Sequence, residues 1–434
     1  MNMNLTKGPR LALCGIVAVA CLTASVALGA SRSQQATELT VWDWGSPSPA
    51  SMKELDTAFM KLNPGITIKR VHQPFNSYFT LLRTATATRK GPDIVENYAS
   101  PAVFDYARAL LPLTSYRTAA QKKDLVGWNL VSSSLSASGT PYAMPWGGQG
   151  IVMYYNKRLF KKAGLDPNKP PKTWKQFLAA CEALKNAGIV PIAEGWKDGY
   201  GAEWWIDTLS SQYMSPSELA TVGTKQNWRS PAVRKSLELL VDLSDKGYFT
   251  PDAEGIPLFP DTLNNFGAEK GAMAIGLAAN CCNYQEFRKA KVGKNLGVME
   301  PPLVPGGKWA TQKLNYGPGL SWAITRWAKD PAAAYKFLTF LGTPAAQKMA
   351  FKSSTVFPNN VKTRAVTSDP IGAKILAWVA TKPTYLGIMT LMRAPTEATL
   401  DKLVPQIMTK KVSIEDALKQ IQATADKQPK IPTK

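Results

Sequence analysis

The chain has 434 residues, 45% of them hydrophobic, which is long enough for two domains with a core each. Its formal net charge is +21 at pH 7, from 52 Lys and Arg against 31 Asp and Glu. The basic residues are scattered in pairs such as Lys122-Lys123, without the basic run or zinc spacing of many nucleic-acid-binding proteins. We therefore expect a cationic surface and no nucleic-acid partner. The single histidine, His72, argues against a metal site, and no cofactor is expected.

The first 29 residues have the pattern of a secretory signal peptide. Lys7 and Arg10 precede an almost wholly apolar run, 11–28, and small residues follow it. The pattern predicts export, with a retained membrane anchor as the alternative. Removal of the two basic residues would lower the formal charge from +21 to +19.

The cysteines leave two questions open. Cys21 follows an imperfect lipoprotein cleavage sequence, so lipid anchoring there is an alternative to a freely soluble form. Cys181 lies on the apolar stripe of a predicted helix and is expected in the core. Cys281 and Cys282 are adjacent and could form a strained disulfide in an exported protein.

The first hundred mature residues alternate between strand and helix patterns. A strand at 39–42 precedes a helix with Ser51 as the predicted N-cap and Glu54 at the third position. A second strand follows at 66–71, then a helical stretch, then a short strand at 91–95. This order predicts a parallel α/β sheet.

The remaining chain continues the same kinds of element. Thr173 and Gln176 predict a capping box, and Asp330-Pro331 and Ser413 predict two more helix starts. The predicted later strands are IVPIA (189–193), GAMAIG (271–276) and LGVMEPP (296–302).

Aromatic, amide and acidic residues stand at the ends of the predicted strands. These clusters are Asp43-Trp44-Gly45-Ser46, Glu96-Asn97-Tyr98, Glu194-Gly195-Trp196 with Tyr200, Trp204 and Trp205, Asn280 with Tyr284, and Tyr316-Gly317. Ligands of open α/β sheets bind outside the carboxyl ends of strands. Aromatic faces pack on sugar rings while carboxylates and amides bind hydroxyl groups, so the pattern favours a carbohydrate site.

The sequence resembles the extracellular solute-binding proteins of the maltose-binding type, which serve carbohydrate ATP-binding-cassette (ABC) importers. Similar segments are spread over nearly all of residues 37–428. They are LTVWDWGSPSPASMKELDTAFMKLNPGITIK, GPDIV, YAMPWGGQGIVMYYNKRLFKKAGL with PPKTWKQFL, FGAEKGAMAIG, KDPAAAYKFLTFLGTPAAQ and VSIEDALKQIQ.

The resemblance implies a two-lobe, type II periplasmic-binding-protein-like α/β fold with three hinge crossings. Lobe 1 would comprise 37–147 and 303–355, and lobe 2 would comprise 148–302 and 356–428. It also implies a monomer that captures a sugar or oligosaccharide by hinge closure and delivers it to membrane permease subunits. No catalysis is expected.

The resemblance also places ligand and hinge residues. The implied ligand positions are Trp44, Ser46, Asn97, Tyr98, Trp146, Gly147, Gln149, Glu194, Trp196 and Asn280, and the strand ends add Trp204, Tyr316 and Gly317. The implied hinge residues are Gly147, Gly148 and Gly150 in the first crossing and Pro302 in the second, with a third crossing near 354–358.

Three departures from the maltose-binding pattern argue against maltodextrin. Ser46-Pro47 replaces a charged pair, Asn97 stands where an aromatic is usual, and Gly147 stands where a glutamate is usual. The basic composition keeps glycerol-phosphate or another anionic solute as an alternative, although no arginine occupies the matched positions. An exported glycosidase is a further alternative, because strand-end carboxylates could supply an acid pair, but no catalytic motif accompanies them.

Overall fold

The computed structural model describes residues 37–44, 48–134, 138–279, 284–354, 356–363 and 367–430. The predicted signal peptide with Cys21 lies outside the described residues. So do Ser46, Asn280 and the Cys281-Cys282 pair.

Three parallel strands begin a sheet that continues with antiparallel strands. The strands are β1 Thr37–Asp43, β2 Ile66–His72, β3 Ile94–Tyr98, β4 Met144–Asn156, β5 Met273–Leu277, β6 Leu296–Met299, β7 Leu314–Ile324 and β8 Thr384–Tyr385. Their order is β2-β1-β3-β7-β4-β5, with β6 paired to β4 and β8 paired to β7. β1 pairs in parallel with β2 and β3, which confirms the prediction for the first hundred residues.

Helices pack against the strands of this sheet. They are α1 Pro49–Leu62, α2 Phe75–Thr88, α3 Ala119–Asp124, α4 Lys157–Lys162, α5 Trp174–Asn186, α6 Tyr200–Ser211, α7 Pro216–Lys225, α8 Pro231–Asp245, α9 Leu263–Gly267, α10 Tyr284–Lys289, α11 Pro331–Leu341, α12 Pro344–Ser354, α13 Pro370–Thr381, α14 Ala394–Met408 and α15 Ile414–Asp426. The capping box of Thr173 and the N-caps Asp330 and Ser413 are confirmed.

Two local predictions are wrong. Ser48, not Ser51, caps α1, because its side chain accepts the Ser51 N–H and Pro49 occupies the first helical position. The segment 189–193 forms only isolated parallel bridges at Ile192. Pro191 interrupts that segment because it has no N–H to donate to a ladder.

The apolar core is divided into separate clusters on the two sides of the crossing strands. One cluster joins β1, β3 and α1 to α11 and α12, with Phe59, Trp146 and Trp322 at its centre. The other two contain the inner faces of α5, α6, α8 and α14, and the surroundings of β5, β6 and α13. We call the first side lobe 1 and the second lobe 2; the residue boundaries given above remain a prediction.

β4 and β7 are the strands that run from one lobe to the other. They pair antiparallel from Met144↔Trp322 to Ile151↔Asn315. Beside them, the Gly148 N–H donates to the Phe357 carbonyl at 2.6 Å. We therefore propose that the three crossings are β4, β7 and the chain near residue 357.

Pro302, predicted for the second crossing, is hydrogen-bonded to lobe 2. Its carbonyl accepts a hydrogen bond from Gln212 Nε2 at 3.1 Å, and the Val304 N–H donates to Gln212 Oε1 at 3.0 Å. Gln212 directly follows α6, and Val304 belongs to the same core cluster as that helix. We therefore propose β7 instead of the segment around Pro302 as the second crossing.

Candidate functional site

A cavity of about 140 Å³ lies where the crossing strands meet α6 and α14. Its lining is Tyr98, Ala99, Ser100, Gln149, Gly150, Ile151, Tyr200, Glu203, Trp204, Asp207, Leu277, Asn315, Gly317, Pro318, Gly319, Leu386, Met389, Thr390, Met392 and Glu397. These residues come from both lobes. Two larger grooves, of about 530 and 750 Å³, are lined by lobe 2 alone. A cleft between lobes with convergent polar groups is the expected place for a small ligand, so we take the smaller cavity as the candidate site.

One face of α6 forms a wall of the cavity. Tyr200, Glu203, Trp204 and Asp207 follow the spacing i, i+3, i+4 and i+7, which places them on the same side of a helix. All four line the cavity. α6 therefore presents two aromatic rings and two carboxyl groups to any bound solute.

The start of α6 requires a glycine. Gly199 has φ +72°, and a Cβ there would lie 2.3 Å from the backbone of Asp401. The missing side chain lets α14 approach the first turn of α6. This contact brings the acidic residues of the two helices together.

Aromatic rings from the two lobes meet at the cavity. In lobe 1, Tyr98 stacks on Phe79 at 5.5 Å and packs against Trp44 at 5.2 Å. Phe75 of α2 then contacts Tyr200 of α6 across the cleft at 6.2 Å. Tyr98 and Tyr200 can therefore offer apolar ring faces from opposite lobes.

Asp207 fixes the position of two neighbouring segments. Its Oδ2 accepts from Asn315 Nδ2 at 2.7 Å, and its Oδ1 accepts from the Met389 N–H at 2.9 Å. Burial raises the pKa of Asp207 to about 6 in spite of these donors. The carboxyl group thus ties α6 to β7 and to the segment before α14.

Glu203 lies within a cluster of carboxyl groups. Burial, together with the charges of Glu397 and Asp401, raises the pKa of Glu203 well above its ordinary value. Burial also raises the pKa values of Glu397 and Asp401 to about 7. At neutral pH these groups hold protons between them, because several adjacent carboxylates cannot all ionise in a buried site.

No lysine or arginine belongs to the described lining of the cavity. Arg393, just before α14, forms an ion pair with Asp105 of lobe 1. This pair links the lobes beside the cavity and leaves the lining itself acidic.

The structure places four of the predicted site residues in the cavity. Tyr98, Gln149, Trp204 and Gly317 line it. Gly150, predicted for the hinge, lines it as well.

Three predicted residues of lobe 1 lie behind or away from the lining. Trp44 packs against the rear of Tyr98, and its N–H donates to Glu96 Oε2 at 3.2 Å. Asn97 is buried, and its Nδ2 has no hydrogen-bond partner. Trp146 is fully buried in the lobe 1 core, where its Nε1 donates to the Leu341 carbonyl at 3.0 Å.

The predicted residues Glu194 and Trp196 are buried and do not belong to the lining of the cavity, although Glu194 is hydrogen-bonded to α6. Glu194 Oε2 accepts from Trp205 Nε1 at 2.6 Å and Oε1 accepts from the Gly195 N–H at 3.0 Å. Burial raises the pKa of Glu194 to about 8. Trp196 is buried against Phe249, with 4.9 Å between ring centroids.

The remaining predicted residues lie at the crossing strands. Gly147 has φ +75°, and a Cβ there would lie 2.7 Å from Val356 Cγ1. Tyr316 packs edge-on against Phe357 at 6.0 Å, and burial raises the pKa of its hydroxyl. Their positions fit a hinge, which remains a proposal.

Sequence reasoning did not select several lining residues. The acidic pair Glu203 and Asp207 could have been found, because two carboxylates four residues apart flank the apolar stretch WWI of one helix. Glu397 and Asn315 gave no comparable signal, since each reaches the cavity only through a contact distant in sequence.

The described residues show no sign of a metal site or of a membrane-spanning helix. No group of three or more His, Cys, Asp or Glu among them is placed to hold a metal ion. Cys181 is buried, as predicted, and burial raises the pKa of its thiol. Within the described ranges, no helix has the length and apolar character needed to cross a membrane.

Comparison with known proteins identifies one family and relatives that align with about half of the chain. The profile of the family described as "Bacterial extracellular solute-binding protein" matches residues 54–375. The sn-glycerol-3-phosphate-binding periplasmic protein UgpB of Pectobacterium atrosepticum is 31% identical over 220 residues, which cover 48% of this chain and 46% of that protein. UgpB of Escherichia coli (strain K12) is 28% identical over 219 residues, covering 48% and 47%. The chain thus spans about half the length of the curated relatives it matches.

Solved structures show the fold over most of the chain. A chitin oligosaccharide binding protein has a TM-score of 0.76 at 21% identity, covering 90% of this chain and 99% of that one. The maltose-bound MalE3 of T. maritima has a TM-score of 0.69 at 19% identity, covering 90% and 100%. The prediction of a two-lobe, type II α/β fold is confirmed.

Proposed function

The chain belongs to the family of bacterial extracellular solute-binding proteins, and we propose that it captures a sugar or oligosaccharide between its two lobes. The observation that supports this most strongly is the cavity face of α6, where two aromatic rings alternate with two carboxyl groups. Rings can pack on the apolar face of a pyranose while carboxyl and amide groups bind its hydroxyls. Tyr98 and Gln149 extend the same kind of lining.

We further propose that closure of the lobes delivers the solute to an ABC permease in the membrane. Phe75 against Tyr200, and Asp105 against Arg393, are contacts between lobes that opening would separate. A bound solute adds contacts to both lobes and so favours the closed form. In this proposal the protein is an exported monomer with its signal peptide at 1–29, and Cys21 offers a site for lipid anchoring.

The proposal includes no catalysis. The carboxyl groups around α6 are engaged by neighbouring groups or hold protons between them, and Asp207 receives two hydrogen bonds that fix the cavity wall. A binding function therefore accounts for these groups without a reaction.

An anionic solute is the second candidate, favoured by the UgpB relatives, which bind sn-glycerol-3-phosphate. Phosphate sites usually supply arginine, lysine or several backbone N–H groups. The cavity instead has Glu203, Asp207 and Glu397, with no cationic side chain in its described lining. Charge therefore favours an uncharged or cationic solute here.

Isothermal titration calorimetry of the mature protein tests both candidates. The titrants are a panel of mono- and oligosaccharides and sn-glycerol 3-phosphate, with chromatography of the mixtures afterwards. We expect saturable binding of a sugar, no product and no displacement by the phosphate ester. Binding of the phosphate ester alone, weakened by salt, would establish the second candidate. Release of hydrolysis products would contradict the binding function.

A further inference from the structure

Side chains of α6 and α14 form an acidic wall of the candidate cavity. Glu203 and Asp207 of α6 and Glu397 of α14 line it, and Asp401 stands behind Glu203. The rest of the protein is strongly basic, with a formal charge of +21 over the whole chain. The sign of the charge at this wall is thus opposite to that of the whole chain.

One carboxyl oxygen of Glu203 lacks a donor, although the carboxyl group lies close enough to Glu397 and Asp401 to share protons with them. Glu203 is only 7% exposed, and its Oε1 atom has no hydrogen-bond partner. Asp207, by contrast, has a donor on each oxygen. A buried carboxyl oxygen without a donor is costly, because it has lost its hydrogen bonds to water without gaining a partner. A ligand that donates a hydrogen bond to Glu203 would remove that cost.

Aromatic groups lie beside the same wall. Tyr200 and Trp204 flank Glu203 on α6, with 5.8 Å between their ring centroids, and Tyr98 lines the cavity from lobe 1. Cations bind favourably over aromatic faces, and more so where water is excluded. Carboxylates together with ring faces are the surroundings that an ammonium group prefers.

We propose that the cavity selects a solute that carries a protonated amino group, an amino sugar, with the ammonium group against Glu203. This inference rests on the proposed function, because it assigns a subclass of sugar to the same cavity. A neutral sugar would offer the carboxyl groups of the wall only uncharged hydroxyl donors, whose hydrogen bonds are weaker than those of an ammonium group. A divalent cation is a weaker alternative, since none of the acidic groups in the described ranges is arranged to hold a metal ion.

The ammonium group would replace protons that the carboxyl groups of the wall share. The titratable groups that face Glu203 or its neighbours are Asp198 before α6, Asp207 on α6, Glu397 and Asp401 on α14, and Tyr385 on β8. Burial raises the pKa values of Glu397 and Asp401 to about 7, so in mildly acidic solution they are largely protonated. Binding of a cation favours their ionised forms and therefore releases protons.

Calorimetry with three matched probes tests the inference. Glucosamine, glucose and N-acetylglucosamine share a ring and differ at one position, as do the galactose counterparts. We expect the amine form of the preferred ring to bind at least about tenfold more tightly than its neutral forms. At about pH 6.5, titrations in buffers of different ionisation enthalpy should show proton release with the amine form only.

Variants separate this inference from the proposed function. Glu203→Gln should remove the preference for the amine and its proton release, so the amine form should lose at least about tenfold in affinity and the neutral forms should lose less. Glu254→Gln, at an exposed position away from the cavity, changes the net charge of the protein by the same amount. It should have no effect on the preference for the amine or on proton release. If the neutral sugars bind and the amines bind no better, the inference is wrong and the sugar-binding function stands. If no member of the wider sugar panel binds, both are wrong.

Discussion

Trp204 and Trp146 allow binding and stability to be tested separately at the scale of single residues. Both are buried, but Trp204 lines the cavity and Trp146 lies in the lobe 1 core. Trp204→Ala should weaken sugar binding by about 2–4 kcal/mol, because it removes a ring face and admits water. Trp204→Phe should recover part of this loss. Calorimetric titration of the folded variants measures the effect.

Trp146→Ala is the matched control. It should lower the free energy of unfolding by about 3–5 kcal/mol, because it leaves a core cavity and an unpaired Leu341 carbonyl. Denaturant unfolding measures this loss. Sugar affinity of the folded Trp146→Ala fraction should stay within about threefold of wild type. A loss of affinity equal to that of Trp204→Ala would contradict the assignment of Trp146 to the core.

Glu194 should make stability depend on pH. Burial raises its folded-state pKa to about 8, above the ordinary value of 4.5. The folded protein thus binds a proton that the unfolded chain releases, so the contribution of Glu194 to stability is full below about pH 4.5 and is lost as the pH rises through 8. In Glu194→Gln, the free energy of unfolding should fall by about 2–4 kcal/mol less between pH 5 and 8 than in the wild type. Unfolding of both proteins at these pH values is the measurement, and parallel curves would contradict it.

The contact between α6 and α14 is the element that builds the site. Gly199→Ala should disturb it, because the new Cβ would meet the backbone of Asp401 at 2.3 Å. We expect a loss of about 2–4 kcal/mol in unfolding free energy and weaker sugar binding, since the helices must separate. Thermal unfolding and calorimetry measure the two effects.

Gly188→Ala supplies the control for backbone strain alone. Gly188 has a similar φ of +69°, but nothing lies within 4 Å of a Cβ there. Its replacement should cost only about 1–2 kcal/mol and leave binding intact. Equal effects of the two changes on binding would mean that the approach of α14 to α6 does not shape the site.

Helices and strands that are marked by neighbouring residues were predictable from the sequence. The direction in which a side chain points, towards the cavity or the core, was not. The capping box of α5 and the parallel strands β1 to β3 followed from spacing that neighbouring residues determine. Trp146 and Trp196 were predicted to bind the ligand, but the direction of each ring depends on partners far along the chain. Glu397 reaches the cavity for the same kind of reason, through the packing of α14 on α6.

At the scale of the whole molecule, the site exists only where the lobes meet. β4 and β7 are the proposed crossings, and their residues Gln149 and Gly317 line the cavity. Tyr98 comes from one lobe and Trp204 from the other. Closure on a solute should therefore protect segments of both lobes at once.

Hydrogen exchange measured by mass spectrometry, with and without the preferred sugar of the panel, tests this account most directly. We expect bound sugar to slow amide exchange in the first turns of α6, in the loop at 98–100 and in the segment 386–397, because these surround the cavity. Protection confined to the groove between α9 and α10, or to one lobe, would contradict capture of the solute between the lobes.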